Sequence, residues 1–246
     1  MKPMEIAAKS DVGRVRHVNE DAVYFLQYDD TEAYVIVADG MGGHKGGKLA
    51  SHGCIDRIRG YLAGRAIYQA QQQEIPHILT ECLDYVNESL YLKSLEDAAL
   101  VGMGTTVVLC VISRHTAYVA NVGDSRMYLL RGGEIRQITK DHSLVQELLD
   151  AGSITPEEAQ HHANKNVITR AIGSEKSVLT DTYTVDLQEN DIIILCSDGL
   201  TNLVPDNELL HILQQEPTLE DGVNRLVEAA NRSGGFDNIT VAAIKV

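Results

Sequence analysis

The chain has 246 residues, of which 44% are hydrophobic, a composition typical of a globular protein with a packed core. Its 21 Lys and Arg residues face 35 Asp and Glu residues, and the formal net charge of −14 disfavours binding to the phosphate backbone of nucleic acids. The apolar run at 107–112 has six residues, far fewer than the roughly 20 needed to span a bilayer.

The N-terminal sequence MKPMEIAAKSDVG lacks the apolar block of a secretory signal, so we expect a cytoplasmic protein that does not cross a membrane. Cys54, Cys82, Cys110 and Cys196 form no CxxC pair, which indicates reduced, mostly buried thiols rather than zinc ligands or disulfides. The acidic charge would repel a phosphorylated substrate unless local cations reverse the field, which points towards bound metals.

Short apolar stretches, several rich in β-branched residues, predict strands that are buried on both faces. In chain order these lie at 22–28, 34–38, 106–112, 117–122, 127–130, 192–196 and 239–244. Apolar spacings of three and four residues predict helices at 48–63, 75–90, around 209–213, and at 219–230. Because strands and helices come in blocks, the order favours an α+β layered domain.

Three aspartates lie at the ends of predicted strands. Asp39 directly follows the strand at 34–38, Asp198 follows the strand at 192–196 by one residue, and Asp237 directly precedes NITVAAIKV. If these strands are neighbours in one sheet, the carboxylates meet at one rim, where their repulsion is costly without cations. Hard oxygen ligands favour Mg²⁺ or Mn²⁺. The alternative is that the two Asp-Gly pairs are simple turns.

Two further polar clusters stand beside predicted strands. Arg16, Glu20 and Asp21 precede the strand at 22–28, and the arginine could fork onto phosphate oxygens or pair with a nearby acid at the surface. The second cluster, around Asp124, lies between two predicted strands and by itself indicates a hairpin turn.

The glycine-rich segment at 40–47, GMGGHKGG, is predicted to be a loop between a strand and a helix, a setting in which backbone amides cradle phosphates. Gly42, Gly47 and Lys48 satisfy the GxxxxGK pattern of a nucleotide-binding loop. Leu49, however, replaces the Ser or Thr whose hydroxyl binds Mg²⁺. A nucleotide hydrolase would also leave Asp198 and Asp237 unexplained.

Six segments together resemble the motifs of the bacterial branch of the type 2C metal-dependent serine/threonine protein phosphatases (PPM family). In chain order they are RVRHVNEDA, VADGMGGH, GMGTTVV, NVGDSR, CSDGL and GGFDNITV. The resemblance covers nearly the whole chain, in matching order and spacing. It implies one phosphatase domain over 1–246 with a four-layer αββα sandwich of two central antiparallel sheets and a flap insertion.

The resemblance also implies the roles of individual residues. Asp39 would bridge two metals, the Gly40 carbonyl would contact one, and Asp198 and Asp237 would complete the other. Glu20 and Asp21 would act through metal-bound waters or by direct contact, and Arg16, rather than Arg14, would bind phosphate. Asp124 matches the acid that many bacterial members use, with Asp198, for a third metal, so two Mn²⁺ or Mg²⁺ ions are expected with allowance for a third.

The segment at 141–174 resembles the flap of the family, a mobile element beside the active site, and its histidines, His142, His161 and His162, are expected to face solvent. Met41 stands where animal members carry a histidine after Asp-Gly. The proton donor to the leaving group is therefore open between a metal-bound water and His44, for which a role in loop structure is favoured.

The implied function is hydrolysis of phosphoserine and phosphothreonine by a metal-bridging water, without a covalent phosphoenzyme. We expect the partners to be phosphorylated proteins, with a eukaryotic-type bacterial Ser/Thr kinase acting in opposition, and we expect a monomer. The alternative is a catalytically silent module of the same fold that binds phosphoproteins, which predicts missing ligands. The sequence retains every expected acid.

Overall fold

The fold is described from a computed structural model, which covers residues 3–160 and 162–246, without the side chains of His44, Lys45 and Gln160. The described residues form twelve strands: β1 Glu5–Asp11, β2 Ala22–Gln27, β3 Glu32–Ala38, β4 Gly40–Met41, β5 Gly104–Thr105, β6 Val107–Ser113, β7 Thr116–Val122, β8 Arg126–Arg131, β9 Glu134–Gln137, β10 Asp181–Asp186, β11 Ile192–Cys196 and β12 Ile239–Lys245.

In the same part of the chain, seven α-helices connect or follow these strands. They are α1 Gly43–Gly64, α2 Ile75–Ser94, α3 Leu144–Asp150, α4 Pro156–Gln160, α5 Asp198–Thr201, α6 Asp206–Gln215 and α7 Leu219–Arg232. None of the helices among the described residues is both long enough and apolar enough to cross a bilayer.

Two antiparallel sheets of five strands each form the centre of the molecule. The first sheet has the strand order β1-β12-β11-β8-β9, and the second has the order β10-β7-β6-β3-β2. The short strands β4 and β5 pair separately, with Gly40 opposite Thr105. The predicted pair of central antiparallel sheets is confirmed.

Three apolar layers hold the sheets and helices together. One lies between the second sheet and helices α1 and α2, one lies between the two sheets, and one lies between the first sheet and helices α6 and α7. Strand β3 shows how the layers are built, because Tyr34 and Ile36 face the helices while Val35 and Val37 face the other sheet. The four-layer αββα arrangement follows from these three layers.

All seven predicted strands form, and three further long strands were missed. The missed strands β1, β9 and β10 all lie at sheet edges, where half-exposed polar residues break the apolar pattern. The four predicted helices also form. The cysteines are buried and unpaired, as predicted.

The glycine-rich segment is not the predicted loop. Strand β4 contains its first two residues, and α1 begins at Gly43, five residues before the predicted start. The glycines serve close packing: a Cβ atom on Gly40 would lie 2.2 Å from the carbonyl oxygen of Gly47. Helix α1 therefore packs directly on the backbone of β4, and the pattern does not make a nucleotide-binding loop.

The layer between the sheets should carry much of the folding stability. Leu129 on β8 is 4% exposed in this layer, whereas Leu95 after α2 is 64% exposed. We expect Leu129→Ala to lower the free energy of unfolding by about 2–5 kcal/mol, because it leaves a cavity, and Leu95→Ala to change it by no more than about 0.5 kcal/mol. Urea unfolding followed by circular dichroism measures both, and equal midpoints would contradict the assignment of the core.

Candidate metal centre

An open cavity of about 330 Å³ lies at the end of the sandwich where β3 and β11 finish and β12 begins. Most of the acids singled out in the sequence line it, together with an arginine and a histidine at the mouth. The residues are Arg16, His17, Glu20, Asp39, Gly40, Asp124, Asp198 and Asp237. The predicted site residues other than Asp21 therefore share one cavity.

The three strand-end aspartates do not come from neighbouring strands of one sheet, as the sequence suggested. Asp39 follows β3 of the second sheet, whereas Asp198 and Asp237 flank β11 and β12 of the first sheet. The sheets face each other, so their ends bring the carboxylates together from opposite walls. The carboxylates meet at one end as expected, but by two causes: the pairing of β11 with β12 brings Asp198 and Asp237 together, and the packing of the sheets adds Asp39.

Asp124 enters the cavity from a crossover between the two sheets. Strand β7 belongs to the second sheet and β8 to the first, so the segment at 123–125 connects the sheets and is not the hairpin turn that the sequence indicated. Gly123 has a φ of +106°, and a Cβ atom there would lie 2.5 Å from the Cβ of Thr106. Only glycine fits this crossing.

Thr106 links the crossover to the wall that carries Asp39. Its hydroxyl accepts a hydrogen bond from the Asp39 backbone N–H (3.1 Å) and pairs with the Ser125 hydroxyl at 2.7 Å. The Thr105 hydroxyl donates to the Asp39 carbonyl at 2.8 Å. These contacts fix the backbones of Asp39 and Ser125 relative to each other. Neither threonine was predicted to support the site, although both stand in the GMGTTVV motif.

Glu20 and Asp21 take different positions. Glu20 lines the cavity, and its backbone N–H donates to the Asn238 side-chain carbonyl at 2.8 Å. Asp21 lies behind the lining, is 3% exposed, and accepts a hydrogen bond from the Ser197 hydroxyl at 2.7 Å. Asp21 therefore acts on the centre through its neighbours, because the charge of its carboxyl raises the pKa of Asp39.

Asn238 is a structural residue of the site that sequence reasoning missed. Its side-chain NH₂ donates to the carbonyls of Val12 (2.9 Å) and Val18 (3.0 Å), which closes the loop carrying Arg16 against the start of β12. Its place directly after Asp237, in a motif that the resemblance already contained, was the available signal.

Arg16 lies at the mouth of the cavity, with its side chain 51% exposed, and its Nη2 donates to Asp237 Oδ2 at 2.8 Å. The structure is compatible with both interpretations of this arginine, a phosphate contact and a surface ion pair, because it pairs with Asp237 and also faces the cavity. Arg14 is exposed and does not line the cavity. The preference for Arg16 over Arg14 is consistent with this geometry.

Burial and crowding raise the pKa values of four carboxyl groups at the centre. Burial, followed by the charges of the neighbouring aspartates, holds the pKa of Asp39 well above its usual range. Burial and the Asp198 charge raise the pKa of Asp124 to about 8, and burial raises the pKa of Asp21 to about 6. Burial and Asp237 also raise the pKa of Asp198. The cluster therefore favours protons or other cations over free negative charge.

The donor set fits hard divalent cations. Within residues 3–160 and 162–246, Glu20 Oε1 and Asp21 Oδ1 are buried with no hydrogen-bond partner, and such atoms are costly unless something binds them. No group of three or more Asp, Glu, His or Cys side chains in these ranges already surrounds one point. Mg²⁺ takes one or two carboxylates and keeps several waters, so acids spread over the walls of an open cavity suit it.

The histidine expectations were partly wrong. His142 was expected to face solvent but is 5% exposed, with its ring held between the crossover at Gly123 and the side chain of Asp181. His162 is half-buried, and its Nδ1 accepts a hydrogen bond from the Asn164 backbone N–H at 3.1 Å. His161 and the His44 side chain lie outside the described parts of the chain. Met41 lines the cavity, as its place after Asp-Gly suggested.

The segment at 141–174 contributes Asn166 and Ile168 to the cavity. Its two short helices, α3 and α4, come before these two cavity residues in the chain. Ile172 pairs with Thr105 of β5 through two backbone hydrogen bonds of 3.0 and 2.8 Å. The segment thus lies beside the cavity, as the resemblance implied.

Comparison with known proteins agrees with the motifs. The family model described as protein phosphatase 2C matches residues 14–235. The serine/threonine phosphatase stp of Listeria monocytogenes serotype 4b is 42% identical over 243 residues, which cover 98% of this chain and 96% of that protein.

Solved structures agree as well. The crystal structure of serine/threonine phosphatase Stp1 from Staphylococcus aureus superposes with a TM-score of 0.92 at 36% identity, covering 99% of this chain and 95% of that chain. The catalytic domain of the phosphatase PstP, solved in complex with two manganese ions, gives a TM-score of 0.85 at 35% identity, covering 98% and 97%. This chain belongs to the protein phosphatase 2C family and is a protein serine/threonine phosphatase.

Proposed function

We propose that this enzyme hydrolyses phosphoserine and phosphothreonine in proteins with the help of two Mn²⁺ or Mg²⁺ ions. Asp39 would bridge the two ions, the carbonyl of Gly40 would contact one, and Asp198 and Asp237 would complete the other. The observation that carries the proposal is the meeting of five carboxylates and one arginine in a single open cavity. The two manganese ions in the PstP structure support the same stoichiometry.

Bound cations would supply an activated water near neutral pH and would offset the charge on the phosphate. The side chains of this chain do the remaining work. Asp39, Asp198 and Asp237 hold the charge of the centre on rigid strand ends, Glu20 faces the cavity, and Asp21 acts on Asp39 from behind the lining. Arg16, at the mouth, presents a guanidinium that can fork onto two phosphate oxygens once it leaves Asp237.

We further propose that the chain works as one domain, with the segment at 141–174 as a flap beside the substrate. Asn166 and Ile168 on the cavity wall support this role. The substrates would be phosphorylated proteins made by a Ser/Thr kinase, and the enzyme would act as a monomer in the cytoplasm. Four unpaired buried cysteines suit such a reducing compartment. A third cation would use Asp124 with Asp198.

The activity test uses a purified phosphothreonine peptide and measures released phosphate. We expect turnover with Mn²⁺ or Mg²⁺ and none in excess chelator. Asp39→Asn should lower kcat by at least about 100-fold, the scale on which an electrostatic catalytic group matters. Equal turnover in chelator would rule out the metal mechanism. Binding of the peptide without turnover at saturating Mn²⁺ would instead support the silent phosphoprotein-binding module.

Asp39→Asn should have an opposite effect on stability without metal. Asp39 is crowded by Asp21, Asp198, Asp124 and Asp237, so a neutral side chain of the same shape relieves repulsion. We expect a higher melting temperature than wild type in chelator at pH 8, by a few degrees for about 1 kcal/mol. Added Mn²⁺ should raise the melting temperature of wild type far more than that of the variant. A variant less stable than wild type in chelator would argue against the crowding.

Arg16 should matter for phosphate binding and little for folding. We expect Arg16→Ala to lower kcat/KM by about 10–100-fold, because a charged hydrogen bond is worth about 1.5–3 kcal/mol. Arg16→Lys should recover part of the loss, since lysine keeps the charge without the fork. Arg14→Ala is the matched control, and a loss as large as that of Arg16→Ala would reassign the phosphate contact. The melting temperature should stay within about 2 °C, because the exposed pair with Asp237 contributes little.

A further inference from the structure

His142, at the start of the flap segment, is a buried residue that the proposed reaction does not use. Its side chain is 5% exposed, which is unusual for a histidine outside the metal centre. It lies between three parts of the chain: the crossover at Gly123, the flap residue Arg170, and Asp181 at the start of β10. Gly123 contacts Nδ1, whereas Arg170 and Asp181 both lie close to Nε2, at 3.1 and 3.2 Å.

The crossover and His142 are joined at two points. The Gly123 backbone N–H donates to His142 Nδ1 at 3.0 Å, and the His142 backbone N–H donates to the Gly123 carbonyl at 3.0 Å. On the other side of Asp124, Arg126 binds the Asp141 carboxylate with Nε at 2.9 Å and Nη2 at 2.7 Å. Asp141 and His142 thus hold the chain on both sides of Asp124.

The contacts define which nitrogen of His142 carries the proton. Because Nδ1 accepts from Gly123, the proton of the neutral ring is on Nε2, which lies 3.2 Å from Asp181 Oδ2. Arg170 Nη1 also lies 3.1 Å from Nε2, but a protonated Nε2 cannot accept from it, so Nη1 donates to the other Asp181 oxygen at 2.8 Å. Burial, together with the Arg170 charge, lowers the pKa of His142, which agrees with a neutral ring. Asp181 thereby fixes the orientation of the imidazole.

The same residue connects to the flap wall of the cavity. The Thr169 backbone N–H donates to the His142 carbonyl at 2.8 Å, and Ser143 pairs with Ile168 as an isolated bridge. Ile168 lines the metal cavity. His142 therefore contacts the backbone beside Asp124 and also the backbone of the flap at Thr169, next to the cavity residue Ile168.

We propose that His142 is a positioning residue for the third cation. Through Nδ1 it holds the Gly123 amide, which sets the Asp124 carboxylate for that cation and ties its position to the flap. The proposal rests on the proposed function, since it assigns a support to Asp124 in the same site. It assigns no proton transfer to His142, and the residue touches neither substrate nor metal.

Two substitutions separate the two ends of the ring. His142→Asn keeps an acceptor oxygen near the position of Nδ1 and loses the contact with Asp181. His142→Gln reaches towards the position of Nε2 and Asp181 and loses the acceptor for Gly123. If His142 only fills space or only anchors the flap to β10, His142→Gln should not weaken Mn²⁺ binding more than His142→Asn does. His77→Asn, at a side chain 78% exposed on α2, is the control.

The main readout is Mn²⁺ binding by isothermal titration calorimetry, without substrate. We expect His142→Gln to weaken the weakest Mn²⁺ site by about 10-fold or more, as loss of a supporting contact behind a metal ligand does. His142→Asn and His77→Asn should stay within about 3-fold of wild type. The tighter sites should be unchanged in every variant, because Asp39, Asp198 and Asp237 do not contact His142.

A combined variant tests whether the effect passes through Asp124. Asp124→Ala alone should abolish the weakest site, and adding His142→Gln should then change neither the remaining Mn²⁺ affinities nor the Mn²⁺ dependence of turnover. Unchanged binding in His142→Gln would overturn the proposal. Equal losses in the Asn and Gln variants, or a further loss in the double variant, would also overturn it.

Nitrogen NMR of wild type keeps the proposal testable if a variant fails to fold. The His142 ring should show an unprotonated Nδ1 and a protonated Nε2 at neutral pH, and the Gly123 amide should shift on titration with Mg²⁺. A proton on Nδ1, or a Gly123 amide insensitive to Mg²⁺, would refute the assignment. If wild type binds Mn²⁺ as expected but hydrolyses no phosphopeptide, the proposed function fails while the inference about His142 stands.

Discussion

The main constraint on this structure is the electrostatic repulsion among the carboxylates that the two sheets bring to one end of the sandwich. Asp39 is surrounded by the charges of Asp21, Asp124, Asp198 and Asp237, and burial adds to the cost of each charge. Such a cluster is stable only when protons, an arginine or metal ions offset it. Arg16 already provides part of this compensation through Asp237.

The scaffold can hold this charge because the acids sit on backbone that has little freedom. Asp39 follows a fully packed strand, and its peptide groups are bound by Thr105 and Thr106. Asp198 opens α5 directly after the buried strand β11. A repelled side chain can move away from its neighbours only if its backbone moves, and the packing of the three apolar layers opposes such movement. The free energy gained in the packed core offsets the cost of the repulsion at the site.

Much of the central fold could be predicted because its strands are continuous apolar runs. Strands such as β6, buried along its whole length, and β11 match the predicted stretches closely, whereas β1, β9 and β10 mix polar and apolar residues at sheet edges and left no clear signal. The order of the motifs singled out the acids that line the cavity. Their arrangement on two sheets did not follow from that order, because local patterns do not say which strands pair.

The buried position of His142 could not be read from the sequence for a related reason. It follows Asp141 in a polar stretch, and its partners Gly123, Arg170 and Asp181 are 19, 28 and 39 positions away in the printed sequence. Burial there comes from the return of the flap to the crossover rather than from local hydrophobicity. The turn at Gly123 was predicted, but as a hairpin. A hairpin and a crossover between sheets both use glycine at such a turn, so the residue type does not distinguish them.

The layer between the sheets has a consequence for how relatives of this enzyme can diverge. Because Asp39 and Asp198 stand on opposite sheets, the side chains packed between the sheets act as a spacer that sets the width of the cavity. A change of one methylene in this spacer alters the separation of Asp39 and Asp198 without touching either residue. The outer layers, under α2 and α6, do not lie between the two walls of the cavity. Relatives can therefore change the width of the cavity through the volume of the inter-sheet core while they keep every residue that lines it.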